Sequence, residues 1–86
     1  MRNSRYIRQM EEQINYSIKI AAQRSGLTAH VIRIWEKRYE AVTPQRTASG
    51  RRLYSPAQIE RLKSLSHLTQ AGPSIGHIAN LSDEQL

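Results

Sequence analysis

The side chains able to do chemistry in this 86-residue chain are cationic, and they are unevenly placed. Between residues 17 and 54 stand Lys19, Arg24, Arg33, Lys37, Arg38, Arg46, Arg51 and Arg52 against only Glu36 and Glu40, a net +6 that equals the formal charge of the whole chain. The flanks nearly balance: Arg2, Arg5 and Arg8 face Glu11 and Glu12 on one side, and Arg61 and Lys63 face Glu60, Asp83 and Glu84 on the other. A contiguous positive segment raises the local concentration of polyanions and speeds their encounter. Charge kept only for solubility is spread more evenly. Other chemistries lack their residues. There is no Cys for a disulfide, redox or thiolate-zinc site, and His30, His67 and His77 have no ligand-like spacing to one another. No paired carboxylates, Ser/His/Asp set or phosphate loop appears, so neither an enzyme nor a metal site is expected. No apolar run approaches the ~20 residues of a membrane span, and the N-terminus lacks the apolar stretch of a signal peptide. A cytoplasmic setting is expected.

The elements that must position these cations follow from caps and periodicity. Residues 1–15 form an extension with a weak pattern and three Arg, expected to be only partly ordered. Ser17 is a good N-cap for a first helix with Ile18, Ala21 and Ala22 on its apolar face. Gly26 can close that helix in the left-handed conformation. Thr28 caps a second helix running to about Tyr39, with Leu27, Ile32 and Trp35 on its packing side. Two short helices joined by a tight Gly-containing turn are the helix-turn-helix pattern. Pro44 ends helical structure. Arg46-Thr47 and Arg52-Leu53-Tyr54 then read as short strands flanking Ala48-Ser49-Gly50, a small hairpin, or wing, that carries Arg46, Arg51 and Arg52. Ser55, Pro56 and Gln58 make a capping box for a third helix whose Ile59, Leu62, Leu65 and Leu68 face the core. Ser74 is expected to cap a short fourth helix with Ile75, Ile78 and Leu81. Ser82 to Gln85 form another capping box, read as the start of a helix or linker to a further domain. The fold class predicted is mainly α, a winged helix-turn-helix of four helices and a two-stranded hairpin over residues 16–81.

In a helix-turn-helix the second helix enters the major groove of DNA. With Ile32, Trp35 and Tyr39 packed inward, its opposite face shows His30, Arg33, Glu36 and Lys37. Arg33 leads, because a guanidinium can bond a guanine edge bidentately or clamp a phosphate; His30 and Lys37 flank it. Glu36 can accept from cytosine, but pairing with a neighbouring Arg is the stronger expectation. Trp35 occupies a core slot and is expected to support rather than stack on bases. Arg38, Arg46, Arg51, Arg52 and Tyr54 suit the phosphate backbone, and Ser17 and Thr28 stand at helix starts whose free N–H groups can meet phosphates.

From about Tyr16 to Leu81 these residues resemble the MerR family of transcription regulators. The resemblance is strongest in Ile32-Arg33-Ile34-Trp35-Glu36-Lys37-Arg38-Tyr39, in Pro44-Gln45-Arg46-Thr47 and in Gly50-Arg51-Arg52-Leu53-Tyr54-Ser55. Trp35-Glu36-x-Arg38-Tyr39 and the downstream Gly72-Pro73-Ser74-Ile75-Gly76 are similar to the light- and cobalamin-responsive branch of CarA, CarH and LitR type. The resemblance implies double-stranded DNA as partner, a homodimer on an inverted repeat, and effector sensing by a C-terminal domain, with cobalamin as a candidate cofactor there and none in this chain. Two residues depart from the branch: Glu40 stands where Gly is frequent, and Arg51 where an aromatic residue is frequent. The competing function is a protein-interaction module whose basic face docks an acidic, antirepressor-like partner.

Overall fold

The computed structural model describes residues 14–86. All of the N-terminal extension except Ile14 and Asn15 lies outside the described residues, and with it the expectation of partial order. The described elements run α1 (Ile18–Ser25), α2 (Ala29–Tyr39), β1 (Gln45–Arg46), β2 (Arg52–Leu53), α3 (Pro56–Gln70) and α4 (Ile75–Ile78). This is the expected set of four helices and a hairpin.

The caps form as the sequence requires. The Ser17 hydroxyl accepts from Ile20 N–H at 3.4 Å and the Thr28 hydroxyl from Val31 N–H at 3.1 Å. At α3, Gln58 N–H donates to Ser55 Oγ at 3.1 Å while Ser55 N–H donates to Gln58 Oε1 at 3.0 Å, the full reciprocal box. Gly26 closes α1 at φ +80°, a conformation that costs a glycine nothing. Ser74 departs from its expected role: its hydroxyl meets His77 Nδ1 at 3.0 Å and makes no cap bond. The helix there is correspondingly short, four residues, and Leu81 packs on the core from beyond it. The second box, at Ser82, also forms, with Ser82 N–H on Gln85 Oε1 at 2.9 Å and Gln85 N–H on Ser82 Oγ at 3.3 Å.

The core lies where α1, α2 and α3 meet. Ala21, Ile32, Leu62 and Leu65 are fully buried, and Trp35 and Ile59 nearly so. Trp35 therefore packs inside, as its slot implied. A buried side chain of this size contributes about 1.5–3 kcal/mol by leaving water, so the apolar stripe of α3 anchors the helix pair. The Tyr39 ring rests against Gly76 of α4, close enough that a Cβ there would stand 3.5 Å from it.

One basic side chain fastens the architecture from outside the expected pattern. Arg61 of α3 donates through Nε to Ala41 O at 2.7 Å, through one terminal nitrogen to Ala79 O at 2.8 Å, and through the other to Asp83 Oδ1 at 2.8 Å. It ties together the segment that follows α2, the end of α4 and the C-terminal turn.

The segment after α2 is turned by Glu40, which sits in the left-handed region at φ 50°, ψ 38°. It is the one non-glycine with positive φ among the described residues. A Cβ in that conformation costs about 1–2 kcal/mol, partly offset by the lower chain entropy of a non-glycine. Glu40→Gly is thus expected to raise stability by about 0.5–1 kcal/mol, read as a higher urea midpoint with unchanged slope. A lower midpoint would show that the Glu40 side chain contributes more than its backbone costs.

Candidate nucleic-acid interface

The wing is an antiparallel pair with Gln45 opposite Leu53 and Arg46 opposite Arg52. It begins one residue earlier than the sequence implied, because Thr47 belongs to the turn. Its hydroxyl accepts from Arg51 N–H at 3.1 Å and meets Ser49 Oγ at 3.0 Å. Gly50 N–H donates to Thr47 O at 2.9 Å, with Gly50 at φ +88° as the turn demands. Arg46 reaches along the hairpin and donates to Gly50 O at 2.9 Å.

A two-residue bridge sets where the wing lies. Tyr16 and Tyr54 exchange backbone hydrogen bonds, each 2.8 Å, so the segment leading into α1 runs beside the end of β2. Ser17, the next residue, is thereby brought to the wing. The result is a recess of about 220 Å³ lined by Ser17 and Ile18 at the start of α1, Arg33 of α2, and Gly50, Arg51 and Arg52 of the wing. Three guanidinium-bearing residues and a helix start share one hollow, the combination that suits a phosphate group.

The candidate residues fall into three groups. His30, Arg33 and Lys37 are exposed and recur at three- and four-residue steps along α2, so they share one face. Arg38, Arg46, Arg51, Ser17 and Thr28 are also exposed. Arg38 stands a further 100° or so around the helix from Lys37, away from the recess. Tyr54 differs. Assigned to the backbone-contacting set, it is fully buried at 0% exposure, with its hydroxyl donated to Glu36 Oε2. Burial first, then the hydrogen bond to Glu36, push its pKa well above the ordinary phenol value, so it remains a donor. As folded it lies beneath the wing rather than on its surface, a correction whose reason is that its ring packs in the core and its hydroxyl is taken by Glu36.

Arg52 is half-buried and already held. Its Nε donates to Glu36 Oε1 at 3.0 Å, an ion pair whose Glu36 side chain is only 10% exposed. Both Glu36 oxygens are therefore committed within the protein, and the expectation of pairing with Arg holds over acceptance from cytosine. Sequence reasoning missed Tyr54 as the second partner. It also missed Arg24, whose guanidinium lies 4.3 Å from the Tyr16 ring centroid and braces the same bridge. Neither contact has a local sequence signal. Among the described residues no cluster of three or more His, Asp or Glu side chains could hold a metal ion, and no helix is long and apolar enough to cross a membrane.

The geometry agrees with the relatives. The HTH-type transcriptional repressor CarH of Myxococcus xanthus is 42% identical over 66 residues, covering 77% of this chain and 22% of that protein. The HTH-type transcriptional regulator TnrA of Bacillus subtilis is 36% identical over 62 residues, 72% of this chain and 56% of that one. Among solved structures, a MerR family transcriptional regulator from Bacillus cereus superposes with a TM-score of 0.70 at 25% identity, over 79% of this chain and 51% of its own. HiNmlR, a MerR family regulator lacking the sensor domain and bound to promoter DNA, superposes at 0.68 with 23% identity, over 85% and 60%. The chain thus spans between about a fifth and three fifths of the length of these relatives. Residues 16–85 match the family described as MerR HTH family regulatory protein. The chain belongs to that family.

Proposed function

We propose that residues 16–81 bind double-stranded DNA sequence-specifically as the reading domain of a MerR-type transcription regulator. Helix α2 lies in the major groove with Arg33, flanked by His30 and Lys37, toward the base edges. The wing 44–54, with Arg46, Arg51 and Arg52, follows the phosphate backbone, joined by Arg38 and by the starts of α1 and α2 at Ser17 and Thr28. The observation that carries this reading is the recess that joins Ser17, Arg33, Arg51 and Arg52 across three separate elements. Cations clustered on one face repel one another unless an anion is drawn in between. The acidic-protein reading of the same face gains no observation of its own.

In the whole protein we place this domain in a homodimer on an inverted repeat, in the cytoplasm at the nucleoid, with residues 82–86 opening the connection to an effector domain. The resemblance of Trp35-Glu36-x-Arg38-Tyr39 to the cobalamin-responsive branch makes cobalamin the effector to test first. The described residues do not themselves fit a corrin. His30, His67 and His77 belong to three different helices, and the recess at the wing is lined by arginines, with no imidazole.

The test is a titration of labelled duplexes. One duplex is selected by the wild-type chain from a random-sequence pool; the other is its scrambled counterpart. Four phosphate contacts predict a loss of roughly a hundredfold in affinity between 50 and 200 mM salt, with a clear preference for the selected duplex at every salt. A flat salt response, or equal binding of the two, would sink the proposal.

A further inference from the structure

Resting on the DNA-binding reading, we infer that Glu36 is a positioning residue that couples the wing to the recognition helix, through Arg52 and Tyr54, and so sets the register between phosphate contacts and base contacts. Among the described residues, the Arg52 and Tyr54 bonds to Glu36 are the only hydrogen bonds that join α2 to residues 44–54. The anchor on Arg52 is its Nε, at 3.0 Å. Its two terminal nitrogens have no protein acceptor among the described residues, and Arg52 lines the recess beside Arg33, Arg51 and Ser17. A guanidinium carries five N–H donors in a rigid fork. Fixing the Nε–H donor on Glu36 leaves the other four in a set direction, prepaid in entropy before a phosphate arrives. Tyr54, buried and donating to the second oxygen, stops the carboxylate from swinging away.

This makes a prediction opposite to simple charge. Glu36 is an acid on the DNA-facing side, so Coulomb attraction alone says that its removal tightens binding. Positioning says that removal loosens it where register matters. The experiment is a double-mutant cycle in the full 86-residue chain with Glu36→Ala, Arg52→Ala and both, on the selected and scrambled duplexes at fixed salt. Glu36→Ala is expected to weaken the selected duplex roughly tenfold with little change on the scrambled one. In the Arg52→Ala background the same substitution should cost nothing or regain affinity, because the Glu36 carboxylate, still held by Tyr54, is otherwise left without its cationic partner facing phosphates. Glu36→Gln keeps an acceptor for Arg52 Nε and should retain most of the wild-type preference, and it carries the cycle if the Ala variant melts early. Tighter or unchanged binding of the selected duplex by Glu36→Ala, the same loss in both Arg52 backgrounds, or a folded Gln variant as indiscriminate as Ala would each overturn the inference. Wild type that binds neither duplex overturns the DNA reading and this inference with it. Wild type that discriminates while the cycle is additive overturns the inference alone.

Discussion

Arg61→Ala is expected to destabilise the domain by about 2–4 kcal/mol, seen as a fall in the thermal midpoint of roughly 10 °C or more for a domain of this size. The side chain makes three hydrogen bonds, two of them to the carbonyls of Ala41 and Ala79, residues only 2% and 4% exposed. Truncation leaves those carbonyls without the donor that meets them, and the cost of an unsatisfied buried acceptor exceeds the net worth of the bond itself. The third bond, to Asp83, contributes far less, because that carboxylate is 69% exposed and an exposed ion pair is worth at most about 1 kcal/mol. Two controls separate the parts. Asp83→Asn should move the midpoint little, whereas Arg61→Lys should recover only a minor share, since a single ammonium cannot span three acceptors that a guanidinium fork reaches at once. Equal effects of Asp83→Asn and Arg61→Ala would instead assign the stabilisation to charge.

Arg33→Ala is expected to leave stability nearly unchanged while lowering affinity for the selected duplex by about 1–3 kcal/mol. The side chain is exposed and makes no hydrogen bond within the described protein, so the folded domain loses little when it goes. Its position on the face of His30 and Lys37 argues for base reading, and base contacts discriminate whereas phosphate contacts do not. The loss should therefore fall mainly on the selected duplex, compressing the ratio between selected and scrambled binding. An equal loss on both duplexes with a shallower salt slope would move Arg33 into the phosphate set beside Arg51 and Arg52, with which it shares the recess.

What the sequence disclosed is what is encoded locally. Ser17, Thr28 and Ser55 announce their helices because a cap needs only its own next three residues. Gly26 and Gly50 mark backbone turns, and the three-residue recurrence of Ile59, Leu62 and Leu65 shows which side of α3 is buried. The cationic segment was likewise visible, and with it the shared face of His30, Arg33 and Lys37, because helical spacing dictates which residues of α2 point outward. The contacts that bind elements together were not. Glu36 meets Arg52 and Tyr54 across 16 and 18 residues, and Arg61 reaches Ala41 and Asp83 across 20 and 22; no periodicity or cap records such pairings. Tyr54 illustrates the consequence. Next to Arg51 and Arg52 in sequence, it reads as a surface residue of the wing, but its bridge to Tyr16 commits its backbone and its burial commits its ring. Glu40 shows the converse: the absent glycine was legible as a departure from the resembled branch, and the left-handed backbone at that position is where its cost falls.

In the proposed function one face, assembled from the start of α1, the outer side of α2 and the wing, receives duplex DNA. Backbone amide shift mapping of the ¹⁵N-labelled chain, titrated with the selected duplex, tests it most directly. The largest changes are expected to cluster at Ser17–Lys19, at His30 to Lys37 and at Arg46 to Arg52, with the Arg52 side-chain Nε–H signal retained because Glu36 still holds it. Changes concentrated instead on α3 around Glu60 and Lys63, with the α2 and wing amides unmoved, would contradict it.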